Sequence, residues 1–139
     1  MRGLIFKCNK YVFSDIEKST KPPGIEKVNQ IFTHNEYADL VLVLLCIEKN
    51  DKENHINKAI KRINGLNKKY YKLKKFVVAP FVHLSKNIAN PDNALFLCKL
   101  FSKKLRNLGF SVSEATFGTH KSSVLEFSGN PYSVSYFEF

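Results

Sequence analysis

No apolar run in this chain approaches the roughly 20 residues that a bilayer-spanning helix needs. The longest, Leu40 to Ile47, is strand-sized. The opening Met1-Arg2-Gly3-Leu4-Ile5-Phe6 is soon broken by Lys7, Asn9 and Lys10, so no secretory leader is expected, and a cytoplasmic location is. The cysteines are only three, Cys8, Cys46 and Cys98. Their odd number and spacing predict neither a disulfide framework nor a zinc site. Cys46 and Cys98 stand among apolar residues and are expected to be small buried hydrophobes. His34 and His55 lie in polar segments without companion ligands, so neither a metal nor a cofactor is expected. The phosphate loop G-x-x-x-x-G-K-S/T, the dinucleotide fingerprint G-x-G-x-x-G, the zinc helix H-E-x-x-H and the nucleophile elbow G-x-S-x-G are all missing. Repeats and low-complexity stretches are missing too, and nothing divides the 139 residues, so a single domain over 1–139 is expected.

Acidic residues are also scarce. Twelve Asp and Glu face 22 Lys and Arg, a formal charge of +10. Such an excess favours a polyanionic partner over a small neutral metabolite. It is clustered. Lys58, Lys61, Arg62, Lys68, Lys69, Lys72, Lys74 and Lys75 come without an intervening acid, and Lys99, Lys103, Lys104 and Arg106 form a second group. A solvated helix face is one reading and phosphate contact is the other, which the size of the excess favours.

With 44% hydrophobic and 24% charged residues, the composition is that of an ordinary folded domain. Leu4 to Cys8 and Lys10 to Ile16 read as two short strands, and Lys21-Pro22-Pro23-Gly24 as a loop. The segment from there to Asp39 carries no clear pattern. Leu40 to Glu48 predicts a central strand covered on both faces. A helix follows, with Asp51 as its N-cap and Ile56, Ala59, Ile60, Ile63, Leu66 and Tyr70 on its inner face. Gly65 weakens that helix by about 1 kcal/mol relative to alanine. Lys75 to Pro80 predicts a strand.

Asn90-Pro91-Asp92 predicts a helix start and Gly109 its end, with the stripe Ala94, Leu97, Cys98, Phe101, Leu105, Leu108 between them. Phe110 to Ala115, Lys121 to Phe127 and Tyr132 to Glu138 read as three further strands. The class is therefore α/β or α+β, a mixed sheet with two packed helices. The last strand, with Tyr132, Tyr136, Phe137 and Phe139, needs something to cover it.

Two segments place titratable groups where apolar runs stop. His83 follows Ala79-Pro80-Phe81-Val82, and Lys121 follows Phe117-Gly118-Thr119-His120. A lone histidine there is commonly structural, and a lone lysine commonly an exposed edge residue. If the strand ends are neighbours, the two would share a pocket with one imidazole and one fixed ammonium. Glu126 either orients Lys121 or faces solvent, and the second is the simpler reading.

At these residues the chain resembles the N-terminal editing domain of archaeal threonyl-tRNA synthetases, which shares its fold with D-aminoacyl-tRNA deacylases. The resemblance spans nearly the whole length and is carried by Phe76 to Ser85, Ala89, Pro91, Leu108-Gly109-Phe110, Phe117-Gly118 with Lys121, and Gly129-Asn130-Pro131. It implies hydrolysis of the ester joining serine to threonine tRNA, without a covalent nucleophile, a metal or a cofactor. Lys121 would hold the water or stabilise negative charge, and His83 would line the seryl site. Main chain around Leu44, Leu45 and Cys46 would meet the aminoacyl group and terminal adenosine. Pro80, Phe81, Val82, Phe117 and His120 would shape the pocket. A homodimer is implied, and the partners would be seryl-tRNA(Thr) and a synthetase catalytic subunit, with no membrane. Lys68, Lys69, Lys103 and Lys104 are the expected tRNA phosphate contacts.

Three departures stand out. Lys7-Cys8-Asn9 replaces a His-Ser-Asp that ends the family's first strand, and His120 replaces a tyrosine before the lysine. Val134 replaces a glutamate that the resemblance places beside Lys121. His120 is then expected to compensate. A D-aminoacyl-tRNA deacylase and a non-catalytic tRNA- or synthetase-binding module are the competing readings.

Overall fold

The computed structural model describes residues 1–28 and 31–139. Its strands are β1 (Arg2–Lys18), β2 (His34–Cys46), β3 (Lys75–Pro80), β4 (Ser111–Glu114), β5 (Thr119–Phe127) and β6 (Val134–Glu138), and its helices are α1 (Glu53–Leu66) and α2 (Pro91–Asn107). The strands form one mixed sheet in the order β4-β3-β2-β1-β5, with β6 beside the first part of β1. The ladders β2–β3 and β3–β4 are parallel, and β1 pairs antiparallel with β2, β5 and β6. Each parallel step needs a crossover, and α1 and α2 supply them on one face of the sheet.

This topology gives two cores. Val41, Val43, Leu45, Phe76 and Val78 meet Ile56, Ile63, Phe101 and Leu105 of the helices on one face. The alternate residues, Leu40, Leu42, Val77 and Ala79, pack on the other face with Phe6, Cys8, Tyr11 and Phe13 of β1. The central run of β2 is thus covered on both sides, as its unbroken apolar character predicts. No helix among the described residues is long and apolar enough to cross a membrane.

The two short strands expected at the start are one. Within β1, inward residues run Leu4, Phe6, Cys8 and then Tyr11, Phe13, so the alternation slips at Asn9. Cys8 pairs with Phe127 and Lys10 with Glu126, making Asn9 an extra residue against β5. A bulge in a continuous strand looks, in sequence, like a gap between two. Opposite it, Asp39 takes a left-handed φ of 51°. The unpatterned stretch before Leu40 contributes the polar first half of β2, held by pairing from Ser14↔His34 to Lys10↔Ala38. Positions 29 and 30 of that stretch lie outside the described residues.

Asp51 does not cap α1. The helix begins at Glu53, and the buried Asp51 carboxylate accepts from the Glu48 N–H at 2.6 Å and from the Met1 ammonium at 2.6 Å. Past Leu66, α1 widens into a π-helical turn, Asn67–Tyr71, which Lys72 ends at φ 55°. The Asn67 amide exchanges two hydrogen bonds with the main chain of Leu73, fixing that exit. α2 starts as expected, with Asn90 Oδ1 accepting from Asn93 N at 2.9 Å, and Gly109 turns the chain at φ 91°. Leu108, assigned to the inner stripe, is exposed because the helix ends before it. All three cysteines are free and buried. Burial pushes the thiols of Cys8 up to about 11 and of Cys98 up to about 12.

Candidate functional site

On the face of the sheet away from the helices lies a cavity of about 590 Å³. Its floor is Tyr11 of β1, Leu42 and Leu44 of β2, Ala79 and Pro80 of β3, and Ser123 and Leu125 of β5. Phe81, Val82 and His83 form one wall, and Thr119, His120 and Lys121 the opposite wall. Ser19, Lys21, Pro22 and Ile88 complete the rim. His83 and Lys121, far apart in the chain, therefore face a common space.

Two local devices build the walls. After β3 the chain stays in register with β2 for one more step, Phe81 N–H donating to Leu45 O at 2.8 Å. It then turns through Val82–Leu84, which exposes His83 with its ring 5.2 Å from Phe81 in an edge-on contact. On the other side, the turn 115–118 brings the end of β4 round to β1. Ala115 N–H donates to Val78 O and Ser19 N–H to Gly118 O, so the sheet curls toward closure.

Asp15 is the latch of that curl. Its side chain is fully buried and accepts from Thr33 N at 2.9 Å, Thr116 Oγ1 at 2.6 Å and Thr119 Oγ1 at 2.6 Å. Lys121 lies directly across the ladder, its Nζ 3.5 Å from Asp15 Oδ1. The ammonium also donates to Thr116 O and, at 2.7 Å, to Thr119 Oγ1. Burial pushes the Lys121 ammonium below its ordinary value, against the opposing pull of Asp15. Burial also pushes Asp15 upward, but the bonds from Thr116, Thr119 and Thr33 and the Lys121 charge outweigh it, leaving the carboxyl below its ordinary value. Lys121 is thus a fixed positive charge in the wall, already hydrogen-bonded. Tyr11 at the floor is raised by burial, with Ser123 pulling the other way.

Asp15, Thr116 and Thr119 are missing from the residues singled out by sequence. The signal for Asp15 was present: Tyr11, Phe13 and Asp15 alternate, placing an acid on an inward face. Neither Glu126 nor position 134 supplies that acid. Glu126 pairs with Lys10 and Val134 with Phe6, whereas Lys121 pairs with Asp15, well along β1.

Leu44, Pro80, Phe81, Val82 and His120 line the cavity with His83 and Lys121. Leu45 does not, because strand alternation sends its side chain into the helix-side core and its carbonyl serves Phe81. Cys46 is buried behind the wall, its Sγ 3.8 Å from Val82 O. Phe117 turns to the helix side and borders a recess of only about 20 Å³ with Cys98 and Ser102. Lys68, Lys69, Lys103 and Lys104 belong to the helical layer, behind the sheet as seen from the cavity. Lys104 is paired with Glu53 at 2.6 Å. Among the described residues, no three His, Cys, Asp or Glu side chains converge as metal ligands would.

Residues 1–138 match the family model of the archaea-specific editing domain of threonyl-tRNA synthetase. The chain belongs to that family. It is 30% identical over 134 residues to the threonine–tRNA ligase of Thermococcus gammatolerans, covering 94% of this chain and 21% of the relative. The threonine–tRNA ligase editing subunit of Saccharolobus solfataricus is 29% identical over 130 residues, covering 94% of this chain and 32% of the subunit. The chain thus spans about a sixth to a third of the length of the curated relatives it matches. Among solved structures, the c-Myc DNA unwinding element binding protein superposes with a TM-score of 0.71 at 11% identity, covering 100% of this chain and 99% of that one. A probable eukaryotic D-amino acid tRNA deacylase superposes with a TM-score of 0.54 at 8% identity, covering 98% and 97%. The α+β architecture of the editing domain is that of the deacylase-like fold.

Proposed function

We propose that this domain, over residues 1–139, removes L-serine from seryl-tRNA(Thr) by ester hydrolysis in the cavity between His83 and Lys121. The observation that carries the reading is that single space, in which the two motif-bearing segments of an editing-family chain meet. A synthetic site cannot strongly reject serine, which is threonine less a methyl worth only about 1–3 kcal/mol. A second site that admits serine and is too tight for the methyl supplies the missing discrimination.

In this reading a water attacks the ester carbonyl carbon, and the carbonyl oxygen becomes an oxyanion. Collapse breaks the bond to the ribose oxygen, and the proton lost by the attacking water passes through the vicinal hydroxyl to that oxygen, releasing serine and the free tRNA end. Lys121 provides a positive potential already in place, with no reorganisation as charge develops. Main-chain groups at the cavity wall and the imidazole of His83 orient the aminoacyl group. The apolar floor of Leu42, Leu44, Ala79 and Leu125 keeps bulk water away from the ester. The reading includes work in the cytoplasm with translation, pairing of two copies, and cooperation with a synthetase catalytic subunit. The editing-subunit relative supports the last of these.

The test follows amino acid release from L-seryl-, L-threonyl- and D-seryl-tRNA(Thr) at equal concentration. Rapid loss of L-serine with threonine retained is expected. Replacing Lys121 by methionine should slow that loss on the order of 100-fold while leaving tRNA binding intact. Faster release of the D-amino acid would instead make the protein a D-aminoacyl-tRNA deacylase. No release by the parent protein would make it a binding module.

A further inference from the structure

The helical face, opposite the cavity, carries a second concavity of about 580 Å³. Lys58, Lys61, Arg62 and Lys69 line it with Gly65, Leu66, Tyr70 and Phe139. The four cations fall on one side of α1 and its terminal turn, at helical spacing, and span about 16 Å along the axis. All four are exposed. None takes part in an ion pair among the described residues. Arg62 is held by its hydrogen bond to Ser135 Oγ at 2.9 Å. The patch is therefore an un-neutralised positive strip, whereas Lys104 and Arg106 of α2 are answered by Glu53 and Glu114.

The groove is more than a solvated lysine face, for two reasons. Tyr70 stacks on Tyr132 with ring centroids 3.8 Å apart and planes 13° from parallel, so the aromatic surface open to a base is the exposed Tyr132 at the margin of the groove. Lys69 Nζ stands 5.1 Å from the centre of the Tyr70 ring. The floor is Gly65, where a Cβ would meet no heavy atom within 4 Å. Its φ is not left-handed, so alanine would suit the helix better, and nothing in the packing asks for glycine. Its one structural effect is to leave the floor open.

Phosphates satisfy the cations, and an unpaired base satisfies the aromatic surface, whose stacking is indifferent to base identity. An acidic peptide would use the first feature and waste the second. We infer that this groove is a second RNA site, which takes phosphates and one unstacked base of a segment other than the acylated 3′ end. The sheet separates it from the cavity: α1 packs on Val41 and Val43, and the cavity floor is Leu42 and Leu44. An RNA that fills both must pass round an edge of the sheet. The inference does not depend on which ester the cavity hydrolyses.

The experiment is fluorescence anisotropy with a 5′-labelled, 3′-phosphorylated uridine dodecamer and the intact protein, over a series of salt concentrations. The triple exchange K58A/K61A/K69A should weaken binding at least tenfold and flatten the log K against log salt slope by about 2. Gly65→Met fills the floor without changing charge. It should weaken binding about fivefold, keep the salt slope, and not lower the melting temperature. K10A/K27A, which removes two exposed charges outside the groove, should leave affinity within twofold. The inference is overturned if K10A/K27A loses as much per charge as the groove variant, or if Gly65→Met binds like the parent. It is equally overturned if polyglutamate of matched charge competes as well as unlabelled RNA.

Discussion

Lys121 Nζ stands 3.5 Å from Asp15 Oδ1, directly across the β1–β5 ladder, where the Asp15 side chain is sealed from solvent. The pair joins the wall of the cavity to the latch that curls the sheet. Thr116 and Thr119 bond to both partners, so ammonium, carboxylate and turn form one unit.

Breaking that unit from one side leaves a buried charge unanswered. Asp15→Ala is expected to lower unfolding stability by about 3 kcal/mol. Adding Lys121→Met to it should cost little more, since the orphaned ammonium is then gone. A double-mutant cycle by urea unfolding reads this coupling. Additive losses would show that the two groups do not act as a pair.

The pair also sets a pH dependence. The Asp15 carboxyl lies below its ordinary 3.8 in the folded protein, so its contribution is complete above that value and is lost as pH falls through the depressed one. The Lys121 ammonium lies below its ordinary 10.5. As pH rises toward 10.5 the folded protein sheds this proton before the unfolded chain does, so stability gains there. Urea midpoints across pH should show the acid limb flattened in Asp15→Asn and the alkaline limb flattened in Lys121→Met.

His120 is exposed at the cavity rim and pairs across the sheet with Glu17. Because it stands on the strand beside Lys121, His120→Ala should slow seryl ester hydrolysis about tenfold, less than loss of a general base would. The melting temperature should not change. An unaltered rate would remove His120 from the site.

Gly3 tests how tightly the floor is backed. A Cβ there would stand 2.4 Å from the Phe137 ring and 3.1 Å from Leu44 O. Gly3→Ala should therefore cost about 1–3 kcal/mol by overpacking. It should also disturb hydrolysis, because Leu44 is part of the floor. Thermal unfolding and the serine-release assay check the two effects separately.

Much of the architecture is legible without coordinates where a local signal exists. The Asn90-Pro91 start of α2, the Gly109 stop and the apolar stripe between them depend on neighbours within a turn or two. β3 from Lys75 to Pro80 stands out in the same way. Misreadings fall where a long-range partner overrides the local pattern. The bulge at Asn9 looked like a strand end, and the polar half of β2 looked like loop until β1 paired with it. Asp51 looked like a cap, yet its carboxylate goes to Met1 and Glu48 instead.

Of the cavity, the sequence by itself determined the two motif-bearing ends, with His83 on one and Lys121 on the other, and the family they belong to. Only the tertiary structure decided that these ends meet, that Asp15 is the acid beside Lys121, and that the lysine-rich helices lie behind the sheet. The physical reason is range. Periodicity, caps and turn residues act between positions close in the chain. Strand register and sheet curl set which side chains share a space, and they arise from pairings between residues far apart in sequence, such as Asp15 with Lys121 and Leu45 with Phe81.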